Sequence, residues 1–152
     1  MKIIVTGSVG FIGFHLVRSL IKNKQNNVLG IDSINNYYPV KIKKLRLKLL
    51  INNKNFSFKK VNLQNKKKID LIFKNFKPDI VFHLAGQPGV LYSFKDPDSY
   101  KLNNINATKV ISSASSKHHI KKFILASSSS VYGDQKKFPI KENYKKNPKN
   151  YY

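Results

Sequence analysis

The chain has 152 residues and a mass of 17.5 kDa, the size of one ordinary domain. Its 41% hydrophobic and 12% aromatic residues suffice for a buried core, which excludes a wholly disordered chain; no apolar run approaches the ~18–20 residues of a membrane span, and the lack of Cys excludes a disulfide framework or thiolate metal site. The formal charge is +22, but all of the 29 basic residues except Arg18 and Arg46 are Lys, spread along the whole chain among abundant Asn and Ile.

That pattern reads as compositional bias. Nucleic-acid sites favour Arg for bidentate contacts, so no specific nucleic-acid partner is expected. The short apolar run at the N-terminus, cut off by Thr6-Gly7, is too brief for a secretory signal, and the expected location is the cytoplasm, with no membrane partner.

In chain order, Lys2–Thr6 (KIIVT) predicts a strand without polar alternation, the mark of a strand buried on both faces of a parallel sheet. Residues 11–24 predict a helix with Leu16, Val17, Leu20 and Ile21 on one face. Asn27–Asp32 is a second strand, residues 40–50 a basic amphipathic helix, residues 56–61 a third strand, and residues 66–75 a helix ended by Pro78. Residues 79–84 form a fourth strand, residues 98–117 a long helix, and residues 122–126 a fifth strand. Five alternations of strand and helix predict an α/β fold with a doubly wound parallel sheet in the order 3-2-1-4-5. From Tyr132 onward a polar loop is expected, with Pro148 suited to a helix start near Asn150. The expected unit is a single domain over residues 1–152, truncated after the fifth strand and lacking a C-terminal substrate domain.

Gly7, Gly10 and Gly13 form a G-x-x-G-x-x-G turn between the first strand and the first helix. Glycine serves there for the tight turn, for close approach of a pyrophosphate and for packing of helix on strand, while the helix N-terminus offers free N–H groups to the phosphates. Asp32, ending the second strand, is placed to accept hydrogen bonds from an adenosine ribose. Its carboxylate would repel a 2′-phosphate, and Ser33 follows rather than Arg, so NAD is favoured over NADP; an excess of Lys leaves open a cation from a neighbouring segment. His83 reads as a core or strand-end histidine, and the His118-His119 pair as the end of a helix, complementing its dipole.

Taken together, MKIIVTGSVGFIGFHL, GIDSINNYYPVKIKKLRL, VFHLAGQPGVLYSF and ASSSSVYGDQ resemble successive signatures of the NAD-dependent epimerase/dehydratase family, the extended short-chain dehydrogenase/reductases that act on nucleotide sugars. Within it the chain is most similar to UDP-glucuronate 4-epimerases, over the N-terminal half of the usual member. The resemblance implies a Rossmann fold and NAD as cofactor, with Gly7, Gly10, Phe11, Ile12 and Gly13 at the pyrophosphate and Asp32 at the adenosine ribose. It implies Asn62 and Leu63 beside adenine, with Asn62 in place of a usual Asp, and Leu84, Ala85 and Gly86 along the cofactor. Asn104 would support the nicotinamide side. Leu91 stands where glucuronate epimerases usually show Arg. Ser128 matches the catalytic Ser/Thr and Tyr152 the catalytic Tyr, whose Lys partner would lie four residues further on.

As an activity, the resemblance implies C4 epimerisation of a UDP-sugar, UDP-glucuronate first, by transient hydride transfer to NAD, in a parent that is a homodimer. The chain as given is expected to be inactive. The alternatives are a non-catalytic dinucleotide-binding module, or a nucleotide-sugar dehydratase or UDP-glucose 4-epimerase of the same family.

Overall fold

In the computed structural model, which covers Met1–Tyr152, the apolar run Lys2–Thr6 forms β1, the central strand of a five-stranded sheet. Its partners are β2 (Asn27–Asp32), β3 (Phe56–Lys60), β4 (Ile80–His83) and β5 (Lys122–Leu125), all parallel, in the order β3-β2-β1-β4-β5. Ile4 lies opposite Leu29 on one side and Val81 on the other. The chain winds outward from β1 in both directions, so the switch point falls at the carboxyl ends of β1 and β4. A crevice opens there in sheets of this kind.

Side chains alternate across the sheet with the strand period of two. Ile3, Val5 and Val28 face one side, where they meet Phe14 and Val17 of α1 (Phe11–Leu20) and Leu50 of α2 (Val40–Ile51). Ile4, Leu29, Ile31 and Val81 face the other, packed on Ile69 and Phe73 of α3 (Lys66–Phe76). Next come α4 (Val90–Lys95), α5 (Pro97–Tyr100), a π-helical stretch at Lys101–Asn106, and α6 (Ala107–Lys117), whose Ala107, Ile111 and Ala114 complete this second core layer. Two helical layers on one parallel sheet make the expected doubly wound fold. No helix is long and apolar enough to cross a membrane.

Four elements differ from the pattern expected of the sequence, each for a local reason. The first helix stops at Leu20 rather than near Lys24, because Ile21 caps it and the Asn26 amide donates to the Leu20 carbonyl at 3.0 Å. Helix α2 is not amphipathic in the expected sense: Ile42, Leu45 and Leu49 face solvent while Lys43 turns inward. The single long helix over 98–117 is three segments, opened by Asp96, whose carboxylate accepts from Ser99 N at 3.2 Å, and widened by the π turn. Helix α4 has no counterpart among the expected elements; it starts after Gly89, whose φ of +104 is a left-handed conformation that glycine tolerates.

His118 does cap α6, but its Nε2 also pairs with Asp70 Oδ1 on α3 at 2.8 Å. Beyond β5 a short 3₁₀ turn spans Ser129–Tyr132, and the remainder is loop.

Candidate dinucleotide site

Thr6 hands the chain from β1 to Gly7, which has φ of +67. A Cβ at Gly7 would sit 2.9 Å from the Ala85 backbone, so the end of β1 passes against the end of β4 at a distance that only glycine permits. Gly10 N–H closes the turn onto the Gly7 carbonyl at 2.9 Å, and Gly13 is buried so close to the same carbonyl that any Cβ there would overlap it. Helix α1 therefore begins pressed onto the loop. Gly10 supplies no side-chain cap and the first turn carries no acid. Its first N–H groups lack intrahelical partners, and with the helix dipole they leave the turn suited to an anion.

Asp32 stands at the end of β2, beside this turn. Its Oδ1 accepts from Ile34 N–H at 2.8 Å and its Oδ2 from Val9 N–H at 3.4 Å, which ties the β2 loop to the glycine turn. Two adjoining cavities meet along Gly7, Gly10 and Leu84–Pro88. The narrower one is lined by Asp32, Asn62 and Leu63. The wider one, about 870 Å³, is lined by Phe11, Ile12, Gly13, Asn104, Ser128 and Tyr152. All fourteen residues singled out from the sequence thus face one continuous cleft at the switch point of the sheet. Phe11 and Ile12 are on its rim, with their side chains exposed.

Several lining residues carry no signal in the sequence. Lys43 is buried, its ammonium donating to the Asn35 carbonyl at 2.8 Å and to Asn35 Oδ1 at 2.6 Å, and lying 4.2 Å from the centre of the Tyr38 ring. Burial pulls its pKa down, and the negative charge of Asp32 partly restores it. This cation, which senses the Asp32 charge, is therefore already engaged by Asn35. Arg46 reaches Val9 O and Tyr38 Oη, each at 3.4 Å. Burial raises the Tyr38 pKa, and the Arg46 charge opposes that rise.

Gln64 donates from Nε2 to Leu102 O and Asn103 Oδ1, both at 3.1 Å, leaving its buried Oε1 without a partner beside Asn62 and Leu63. An orphaned acceptor in this pocket fits the exocyclic amine of adenine, as the unpartnered N–H groups of α1 fit a pyrophosphate. The residues present suit a dinucleotide.

In the wider cavity, Asn104 grips the loop after β4: Oδ1 accepts from Gln87 N–H at 2.7 Å and Nδ2 donates to Gln87 O at 3.1 Å. Ser128 precedes the 3₁₀ turn, with Oγ accepting from Ser130 N–H and donating to Ser130 Oγ, both at 3.2 Å. The Tyr152 ring stands edge-on to that of Tyr100, centroids 6.5 Å apart. Tyr100 is fully buried and its hydroxyl donates to the Pro88 and Gly89 carbonyls at 2.6 and 2.8 Å, with Tyr37 Oη also on Pro88 O at 2.6 Å. Burial pushes the Tyr100 pKa up to about 12, so it stays a donor.

A doubly wound parallel sheet with a glycine turn at its switch point and an acid ending β2 is a Rossmann-type dinucleotide-binding domain. The chain belongs to the NAD dependent epimerase/dehydratase family, whose sequence model matches residues 3–152. Among curated relatives, protein CapI of Staphylococcus aureus is 46% identical over 133 residues, 88% of this chain and 39% of that protein. A probable UDP-glucuronate 4-epimerase of Rhizobium meliloti is 33% identical over 146 residues, 93% of this chain and 41% of that protein.

Among solved structures, the UDP-glucuronic acid 4-epimerase of Bacillus cereus in complex with UDP-glucuronic acid and NAD superposes with a TM-score of 0.88 at 36% identity, over 99% of this chain and 47% of that one. The chain spans less than half the length of the relatives it matches. NAD is the cofactor of the family, and it is bound in the similar structures of the Bacillus cereus protein.

Proposed function

We propose that this chain is the cofactor-binding part of an NAD-dependent 4-epimerase acting on a UDP-sugar, with UDP-glucuronate as the first substrate to test. The observation that carries this is the gathering of all fourteen residues around one cleft, in a chain 36% identical to a UDP-glucuronic acid 4-epimerase across 99% of its length.

Bound NAD supplies the hydride acceptor and donor. The glycine turn and the first turn of α1 hold its pyrophosphate, Asp32 its adenosine ribose, and Asn62, Leu63 and Gln64 its adenine. Leu84, Ala85 and Gly86 form the floor beneath the cofactor, and Asn104 keeps that floor in place by holding Gln87. Tyr152, as its phenolate, would take the proton of the sugar C4 hydroxyl as hydride leaves C4 and, as the phenol, return it when hydride is delivered to the opposite face. Ser128 donates a hydrogen bond to the C4 oxygen once its hydroxyl turns from Ser130.

Calorimetry on this chain tests the cofactor half of the proposal: NAD binds more tightly than NADP, and Asp32→Ala weakens NAD binding. Equal affinity for NADP, or no effect of the substitution, would count against it. The catalytic half is tested in a chimera that joins residues 1–152 to the C-terminal part of the Bacillus cereus relative. Conversion of UDP-glucuronate to its C4 epimer supports the proposal, and NAD binding without turnover of any UDP-sugar favours a non-catalytic module. A second reading, UDP-glucose as substrate, is supported by Leu91, an exposed apolar side chain where an Arg would suit a carboxylate; the chimera would then turn over UDP-glucose faster than UDP-glucuronate.

A further inference from the structure

We propose that His83 is a positioning residue of the dinucleotide site: in the tautomer protonated at Nε2, its ring locks the end of β1, the end of β4 and the helix carrying Asn104 into one frame. This rests on the cleft being the NAD site.

The hydrogen bonds admit only that tautomer. Thr108 Oγ1 has one hydrogen and donates it to the Asn104 carbonyl. Its contact with His83 Nε2 at 2.9 Å therefore has the ring donating. With the proton on Nε2, Nδ1 is an acceptor, and Thr6 Oγ1, 2.7 Å away, donates to it. Thr6 Oγ1 in turn accepts from Ala85 N–H at 3.2 Å. Each donor has one acceptor along the chain Ala85, Thr6, His83, Thr108, Asn104. The ring is fully buried and stacked on Phe123, with 6.1 Å between centroids. Burial lowers its pKa to about 4, which keeps it neutral at physiological pH.

This wire touches three walls of the cleft. Thr6 precedes the left-handed Gly7, whose position depends on close approach to Ala85. Ala85 lies in the floor. Asn104 sits in the π-helical stretch Lys101–Asn106, a geometry less favourable than α-helix, and its side chain clamps Gln87 from both sides. The Thr108 hydroxyl anchors the carboxyl end of that stretch, and His83 holds Thr108. His83 itself does not line the cleft, whereas Thr108, which it holds, does. His83 acts through Thr6 and Thr108.

The test compares Thr108→Val, which removes the hydroxyl at constant volume, with Thr108→Ser, which keeps it. NAD affinity is measured by calorimetry, the unfolding midpoint by denaturant titration, and the imidazole ¹⁵N shifts by NMR. Thr108→Val should weaken NAD binding by roughly tenfold, the effect of about one misplaced hydrogen-bonded group, while Thr108→Ser stays within about twofold of wild type on the same scale. The imidazole should show a protonated Nε2 and an unprotonated Nδ1. Unchanged NAD affinity in Thr108→Val, even with a lower unfolding midpoint, overturns the proposal and leaves His83 a packing residue. So does equal weakening in the Ser variant, or a proton on Nδ1. Because Thr108 itself lines the cleft, His83→Gln, which can still donate to Thr108 but gives Thr6 no ring acceptor, must also weaken NAD binding, whether or not Thr108→Val folds, and unchanged affinity overturns the proposal. A wild-type chain that binds no NAD overturns the site assignment itself, and the proposal with it.

Discussion

Lowering the pH from 7 to 5 should destabilise the domain through His83, by an amount the structure sets. The ring has its pKa lowered from 6.5 to about 4 by burial. The unfolded chain therefore takes up a proton on this residue as the pH falls through 6.5, and the folded chain does so only near 4. The neutral ring's contribution is fully present above 6.5 and declines as the pH falls between the two values, because unfolding then binds a proton. At 1.36 kcal/mol per pKa unit the whole window is worth about 3 kcal/mol, and about 2 kcal/mol of it is lost by pH 5. Asp79 and Asp70 do not complicate that range, since hydrogen bonds from Lys121 and from Lys117, respectively, hold both carboxyls below their ordinary value of 3.8. Urea denaturation at pH 7, 6 and 5, for wild type and His83→Gln, isolates the effect: the substitution lowers stability at pH 7 and flattens its pH dependence. Parallel pH profiles for the two proteins would refute the assignment of a neutral, buried His83.

Single contacts set the remaining expectations. Tyr100→Phe removes a buried donor shared by the Pro88 and Gly89 carbonyls and should cost about 1–3 kcal/mol in urea denaturation, with loosening of that loop in hydrogen exchange. Phe73→Ala empties a fully buried site between α3 and the sheet and should cost about 3–5 kcal/mol by the same titration. Gly7→Ala places a methyl 2.9 Å from the Ala85 backbone at a positive φ; it should lower the unfolding midpoint and abolish measurable NAD binding by calorimetry. Lys43→Met keeps the side chain's length but frees Asn35, and should leave the ratio of NAD to NADP affinity intact, as judged by paired titrations; a further loss of NADP affinity relative to NAD would show that Lys43 does not act as Asn35's partner alone.

The strands are the most legible part of the chain. β1 and β2 match the expected bounds to the residue because both lie inside the sheet and must be apolar on both faces. β4 and β5 run shorter than their apolar patterns, since Leu84 and Ala126 still form ladder-like bonds, to Thr6 O and His83 O, while the chain already turns into the cleft. The helices are harder. In α2 the alternation of Lys with Leu and Ile does not reveal which set points inward, and Lys43 goes in because Asn35 and the Tyr38 face receive its ammonium from a different segment. Helix α4 is a single stretch of six residues, too short for a period to register.

For the site, the motif residues are readable because glycine and Asp meet local demands. Lys43, Gln64 and the partners of His83 are not, because each gains its meaning from a residue in another segment, such as Thr108 for His83 or Asn103 for Gln64.

The π-helical stretch at Lys101–Asn106 makes the cleft and the core separable by one codon. A π turn holds one residue more than an α turn over a similar rise, so deleting one residue there would let α5 and α6 fuse into a regular helix. Ala107, Ile111 and Ala114 would keep their seats against the sheet, and the domain would still fold. Because the extra residue is absorbed within the one wide turn, Tyr100 would also keep its place on Pro88 and Gly89, and only the residues of the turn itself, Asn104 with its clamp on Gln87 among them, would change direction. A lineage could in this way change the shape of its ligand cavity without revisiting a single core position, and a single-residue deletion series through Leu102–Ile105 would reproduce that step in the laboratory.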